Sequence, residues 1–175
     1  MFKKGFSIIL IIMVILILSS CSFHSYYDDI SDYSTIWKLA GFRHGYEAQS
    51  TFFPDTIDNM SVDEFYCRYD ENLLLGESIE IYLKIHFLNE DLFEQEVSRI
   101  SNHAFVCSDK FQNSKCAAYA TRLGDFEEFE NSIEDSFEYA LLDDEQNTIY
   151  FIYLQNVTAE EVEFNHEFLP DDYDI

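Results

Sequence analysis

The chain has 175 residues, 47% apolar and 25% charged, with 10 basic and 34 acidic side chains. A net charge of −24 argues against a nucleic-acid partner, because phosphate binding needs a basic surface. The length suits one domain plus a tail; five Gly and two Pro exclude collagen-like and low-complexity classes, and four Cys are too few for a disulfide-built scaffold.

The chain opens Met1-Phe2-Lys3-Lys4-Gly5, then runs apolar from Phe6 to Leu18 with only Ser7 breaking it, and reaches Ser19, Ser20 and Cys21. A basic start, an apolar stretch and small residues before a cut describe a secretory signal over residues 1–20. The run is short of the roughly 17–25 residues that span a bilayer. Leu18-Ser19-Ser20-Cys21 resembles the lipobox of bacterial lipoproteins, with Leu18 in the aliphatic slot, Ser19 and Ser20 in the small ones and Cys21 in the modified position. Ser at position 20 is less usual there than Gly or Ala. The resemblance implies a thioether-linked diacylglycerol on Cys21 and cleavage before it. Beyond the lipobox the body resembles only the small uncharacterised lipoproteins of Gram-positive bacteria, which supplies no activity. Two acyl chains give stable anchoring where one does not. The expected mature protein is therefore held by lipid on the extracytoplasmic face of the cell membrane. Loss of Lys3 and Lys4 leaves 8 basic against 34 acidic side chains, a net charge of −26.

Residues 21–32 read as the lipidated Cys and a polar, aromatic tether, and residues 33–175 as one globular domain. The negative charge is then expected to hold that domain off an anionic surface. Trp37, Leu39 and Phe42 fit a helix, and Thr51-Phe52-Phe53 fits an edge strand before Pro54. Phe65, Cys67 and Tyr69 alternate with Tyr66 and Arg68 in a strand, and Asn72 to Gly76 turns it into the next. From Glu77 to Leu88, Ile79, Ile81, Leu83, Ile85 and Phe87 alternate with Glu80, Tyr82, Lys84, His86 and Leu88. That is the pattern of a half-buried strand.

Asn89 is a fitting N-cap, and Glu90 and Asp91 suit the positive end of a helix dipole. Leu92, Phe93, Val97 and Ile100 recur at helical spacing through Asn102. Short strands follow at His103 to Cys107 and Cys116 to Leu123. The acidic stretch Gly124 to Asp135 carries Phe126, Phe129 and Ile133 at helical spacing. A hairpin closes the domain, with Phe137 to Leu142 and Thr148 to Val157 flanking Asp143 to Asn147. Ile149 to Leu154 is apolar on both faces, as in a central strand. The expected fold is α+β, an antiparallel sheet with one main helix packed on a face.

Chemistry-bearing patterns are sparse. No G-x-S-x-G, phosphate loop or H-E-x-x-H occurs, and no cofactor or metal site is implied. Cys107 and Cys116 end two short strands around an eight-residue segment and are the disulfide candidates, leaving Cys67 over. The aromatics Tyr66, Tyr82, Tyr150 and Tyr153 are either core or a ligand-stacking face. Glu127, Glu128, Glu130, Asp143, Asp144 and Glu145 are the candidate contacts for a basic partner. The readings in competition are a non-enzymatic binding lipoprotein, an acidic immunity or inhibitor protein, and a cell-wall hydrolase with paired carboxylates.

Overall fold

The computed structural model describes residues 22–39, 52–57, 60–72, 76–103, 117–123, 136–170 and 173. Six strands form one antiparallel sheet in the order β1-β2-β3-β6-β5-β4. They are β1 (Ser22–Tyr27), β2 (Ser61–Asn72), β3 (Gly76–His86), β4 (Ala117–Leu123), β5 (Ser136–Asp143) and β6 (Thr148–Gln155). Helix α1 (Tyr33–Leu39) follows β1, and helix α2 (Glu90–His103) follows β3. The architecture is α+β.

The segment expected to be a tether is structured from its first described residue. Ser22 to Tyr27 pair with β2 in an unbroken register from Ser22↔Asn72 to Tyr27↔Cys67. A 3-10 turn at Ile30–Asp32 then leads directly into α1, with the Asp29 carboxylate accepting from the Ser31 amide at 2.9 Å. Ser22-Phe23-His24-Ser25-Tyr26-Tyr27 has little apolar pattern of its own. The strand exists because β2 offers it a template of backbone donors and acceptors.

β2 and β3 form the longest hairpin, closed between Asn72 and Gly76, where Gly76 sits at φ +93. That left-handed value suits a residue without Cβ. β3 departs from the half-buried reading. Ile79, Ile81, Leu83 and Ile85 are fully buried on one face, but Glu80 and Tyr82 on the other are buried too. β6 is buried at all eight positions, as a central strand should be. It joins β5 through a turn in which Asn147 takes φ +47, so an Asn does what the sequence has no Gly for. The Asp143 carboxylate accepts from the Gln146 amide at 3.1 Å and braces that turn.

Each face of the sheet carries its own buried cluster. The first contains Phe65, Cys67, Ile81, Leu83, Ile149 and Phe151 from the strands, and also Tyr33, Ile36, Phe52, Phe53, Phe93 and Ile100. Phe93 and Ile100 are the inward residues of α2, and Phe93 meets Phe87 edge-on at 6.0 Å. Asn89 caps this helix by accepting from the Asp91 amide at 2.8 Å. Leu92, expected on the same stripe, is instead 52% exposed. The second cluster joins Tyr66, Tyr82, Tyr139, Tyr150 and Ile152 to Val157, Val162, Phe164 and Leu169 of the C-terminal segment.

Two further expectations change. His103 belongs to the end of α2 and starts no strand, and residues 104–107 lie outside the described residues. Phe52 and Phe53 form a bend, not an edge strand, and both are buried. Cys21, Cys107, Cys116, Glu127, Glu128 and Glu130 all fall outside the described residues, as does the acidic stretch around them.

Candidate functional site

Among the described residues the two fully buried carboxylates, Glu80 and Glu138, lie on opposite faces of the sheet, and each serves the fold. Glu138, on the first face, accepts from the backbone amides of Phe52 at 2.7 Å and Phe53 at 3.3 Å. Those donors belong to no strand or helix, so the carboxylate satisfies groups that would otherwise be orphaned in the core. The same bend offers its Phe52 carbonyl to the Arg99 guanidinium of α2.

Glu80, on the second face, accepts from the Tyr66 hydroxyl and, at 2.8 Å, from the Glu163 amide. Its other oxygen lies 3.2 Å from Arg68 Nη2. Arg68 also donates to the Glu161 carbonyl at 2.7 Å and approaches Asp70 and Glu163. Asp70 in turn meets His24 Nδ1 at 2.5 Å. One guanidinium thus links the C-terminal segment to the central strands. A carboxylate pair positioned for hydrolysis would face across one cavity; Glu80 and Glu138 do not.

The tyrosines resolve in the same way. Tyr66, Tyr82 and Tyr150 line up across β2, β3 and β6 on the second face, whereas Tyr153 sits in the cluster of the first. Tyr66 stacks on Tyr82 at 5.6 Å, Phe164 stacks on Tyr82 at 5.5 Å, and Phe168 stacks on Tyr150 at 4.4 Å. The C-terminal segment therefore occupies the face a ring-stacking ligand would need. Burial pushes the Tyr66 and Tyr82 phenols well above their ordinary range, with Glu80 adding to the effect at Tyr66. These rings are core.

One end of the sheet carries an acidic groove that is open to solvent. Antiparallel pairing sends the end of β1, the start of β2 and the β5–β6 turn to the same end. There Asp28, Asp29, Asp63 and Glu64, with Ile30, Val62 and Phe65, line an open groove of about 500 Å³. Asp63 lies 3.4 Å from Lys84 Nζ. The Ser31 backbone and side chain hold the Asp29 carboxyl below its ordinary range, so it is ionised at neutral pH. Asp143, Asp144 and Glu145 stand at this end too, in the turn after β5, with Asp144 and Glu145 exposed. Glu90 and Asp91 open α2 just beyond the end of β3, where the Phe87 amide bonds to the Asn147 carbonyl at 2.9 Å.

Of the six candidate partner contacts, the structure thus places three, and it adds four that sequence reasoning missed. Asp28-Asp29 and Asp63-Glu64 are short pairs far apart in the chain. Only the β1–β2 register brings them together. Cys67 is a free, buried thiol, and burial pushes it up to about 12. Among the described residues no group of three or more His, Cys, Asp or Glu is arranged to hold a metal ion, and no helix is long and apolar enough to cross a membrane. No protein-family model matches the chain, and neither a curated protein nor a solved structure matches it.

Proposed function

We propose that this protein is a lipid-anchored extracytoplasmic binding domain that meets a basic protein at the acidic end of its sheet. The observation that carries the reading is the convergence of Asp28, Asp29, Asp63 and Glu64 on one open groove, at the end that also bears Asp143, Asp144 and Glu145. An open acidic surface steers and orients a cationic partner. The lipobox Leu18-Ser19-Ser20-Cys21 supplies the anchor. The immunity or inhibitor reading is a special case, in which the basic partner is a toxin or an enzyme. The hydrolase reading is weaker, since the two buried carboxylates are spent on the fold and Asp29 is shifted down, not up.

The test is a pull-down with the soluble domain, Ser22 to Ile175, against secreted and membrane proteins of its own cell. The parent domain should retain a basic protein that salt elutes. A variant with Asp28→Asn, Asp63→Asn, Asp144→Asn and Glu145→Gln should lose it. Retention unchanged by the four substitutions overturns the assignment of this surface.

A further inference from the structure

β1 closes the sheet order on one side: β2 pairs with one of its edges, and no described strand lies along the other. Alternate residues of a strand turn both N–H and C=O to the same side, so about three residues of β1 direct these groups outward. Sheets commonly blunt such an edge with Lys, Pro or a bulge. Ser22-Phe23-His24-Ser25-Tyr26-Tyr27 contains neither Lys nor Pro, and its register with β2 is unbroken. It also contains no carboxylate, in a chain that has 34. Of the four exposed large apolar side chains among the described residues, two belong to this strand, Phe23 at 61% and Tyr26 at 53%. They lie on opposite faces. Tyr26 stacks on Tyr66 at 5.9 Å on the second face, and Phe23 shares the first face with Tyr27. A strand added about 4.8 Å further out would cover both rings at once.

We propose that the outer edge of β1 takes an extended basic segment of a partner protein as a seventh strand of the sheet. This rests on the basic-partner reading above for the sign of the charge, and it adds how the partner is held. Carboxylates flank β1 at both of its ends. At its start, Glu71 stands opposite Phe23 on the first face, and Glu77 stands opposite Glu71. At its finish, Asp28 and Asp29 continue the chain past Tyr27 into the groove that Asp63 and Glu64 line with them. The cation opposite Tyr26, Arg68, is already engaged by Asp70, Glu80 and Glu163, and His24 is paired with Asp70. Lys or Arg side chains on an added strand therefore meet opposite charge at both ends, while the middle offers rings and backbone groups. A second copy of this chain is a poorer occupant, since it would bring a net charge of −24 against the same carboxylates. Backbone pairing would give the affinity, and the alternating side chains the selectivity.

The full chain, held in a neutral detergent, is titrated with a synthetic peptide of about ten residues that alternates valine with lysine. Amide hydrogen exchange is read residue by residue by NMR. Two further peptides have the same length. One carries a methyl group on every backbone nitrogen, which keeps the charge and removes the donors; the other has glutamate in place of lysine. The lysine peptide should slow exchange of alternate amides within Ser22–Tyr27 at least tenfold, and the other two should leave it within twofold. Asp28→Asn with Asp63→Asn should weaken binding of the lysine peptide at least threefold while exchange in β3 and β6 stays as in the parent. Equal binding of the lysine peptide and its methylated form, with β1 exchange unchanged, overturns the added strand and leaves a surface that holds cations by charge alone. Protection of β1 by the glutamate peptide as strong as by the lysine peptide overturns the basic occupant. Protection by none of the three overturns the added strand, and the pull-down above still decides the acidic surface on its own.

Discussion

Arg68 Nη2 stands 3.2 Å from Glu80 Oε2, and Glu80 is completely buried while Arg68 is only 18% exposed at its side chain. This ion pair sits on the second face of the sheet, under the C-terminal segment. The remaining Glu80 oxygen takes the Tyr66 hydroxyl and the Glu163 amide, so the carboxylate is held on both sides. Removing one partner of a buried pair costs more than the pair contributes, because a desolvated charge is left behind. Arg68→Ala should destabilise by about 3–5 kcal/mol, read as a lower urea midpoint. Glu80→Gln, which keeps the shape and removes the charge, should cost less. Equal losses for the two would mean that packing, not charge, dominates at this site.

Alkaline pH should unfold the domain early. Burial pushes the Cys67 thiol up to about 12 and raises the Tyr66, Tyr82 and Tyr139 phenols above their ordinary range. Each group binds its proton more tightly folded than unfolded. Their contribution is complete below the unfolded values and is lost as pH rises through the folded ones. For Cys67 alone the window runs from about pH 9 to 12, on the order of 4 kcal/mol. Tyrosinate absorbance and far-UV circular dichroism should change together above pH 10. Tyrosines 66, 82 and 139 titrating while the dichroism stays native would contradict this.

Cys21→Ser should abolish lipid attachment, since a hydroxyl forms no thioether, and should leave an uncleaved precursor held by its own signal. Metabolic labelling with a fatty acid followed by mass spectrometry reads both effects. Label retained on the Ser variant rules out Cys21 as the acceptor.

The central hairpins were legible because their signal is local. Ile149 to Leu154 is apolar on both faces, and β6 is buried on both faces. The α2 cap and its inward residues Phe93 and Ile100 also follow from spacing alone. What was not legible depends on partners distant in the chain. Glu80 occupies a solvent position by alternation, yet Arg68, Tyr66 and the C-terminal segment bury it. β1 is a strand only through β2, and the acidic groove exists only through their register.

Cys107 and Cys116 should be joined in the mature protein, with Cys67 left as the buried free thiol. Closing a loop of this length would contribute roughly 2–3 kcal/mol. In denatured protein prepared without Cys21, one free thiol supports the bond and three refute it.

The acidic end should control how fast a partner arrives more than how long it stays. Asp28, Asp29, Asp63 and Glu64 line an open groove, and Asp144 and Glu145 are exposed, so their field reaches into solvent and is screened by salt. The association rate with a basic partner should therefore fall steeply as salt rises from about 0.05 to 0.5 M, while dissociation changes little. Asp144→Asn with Glu145→Gln should flatten that dependence, and adding Asp28→Asn and Asp63→Asn should flatten it further. Stopped-flow association across the salt series measures the slope for each variant. A parent rate that does not vary with salt would mean that these carboxylates only solvate the surface, and the four substitutions would then leave the kinetics unchanged.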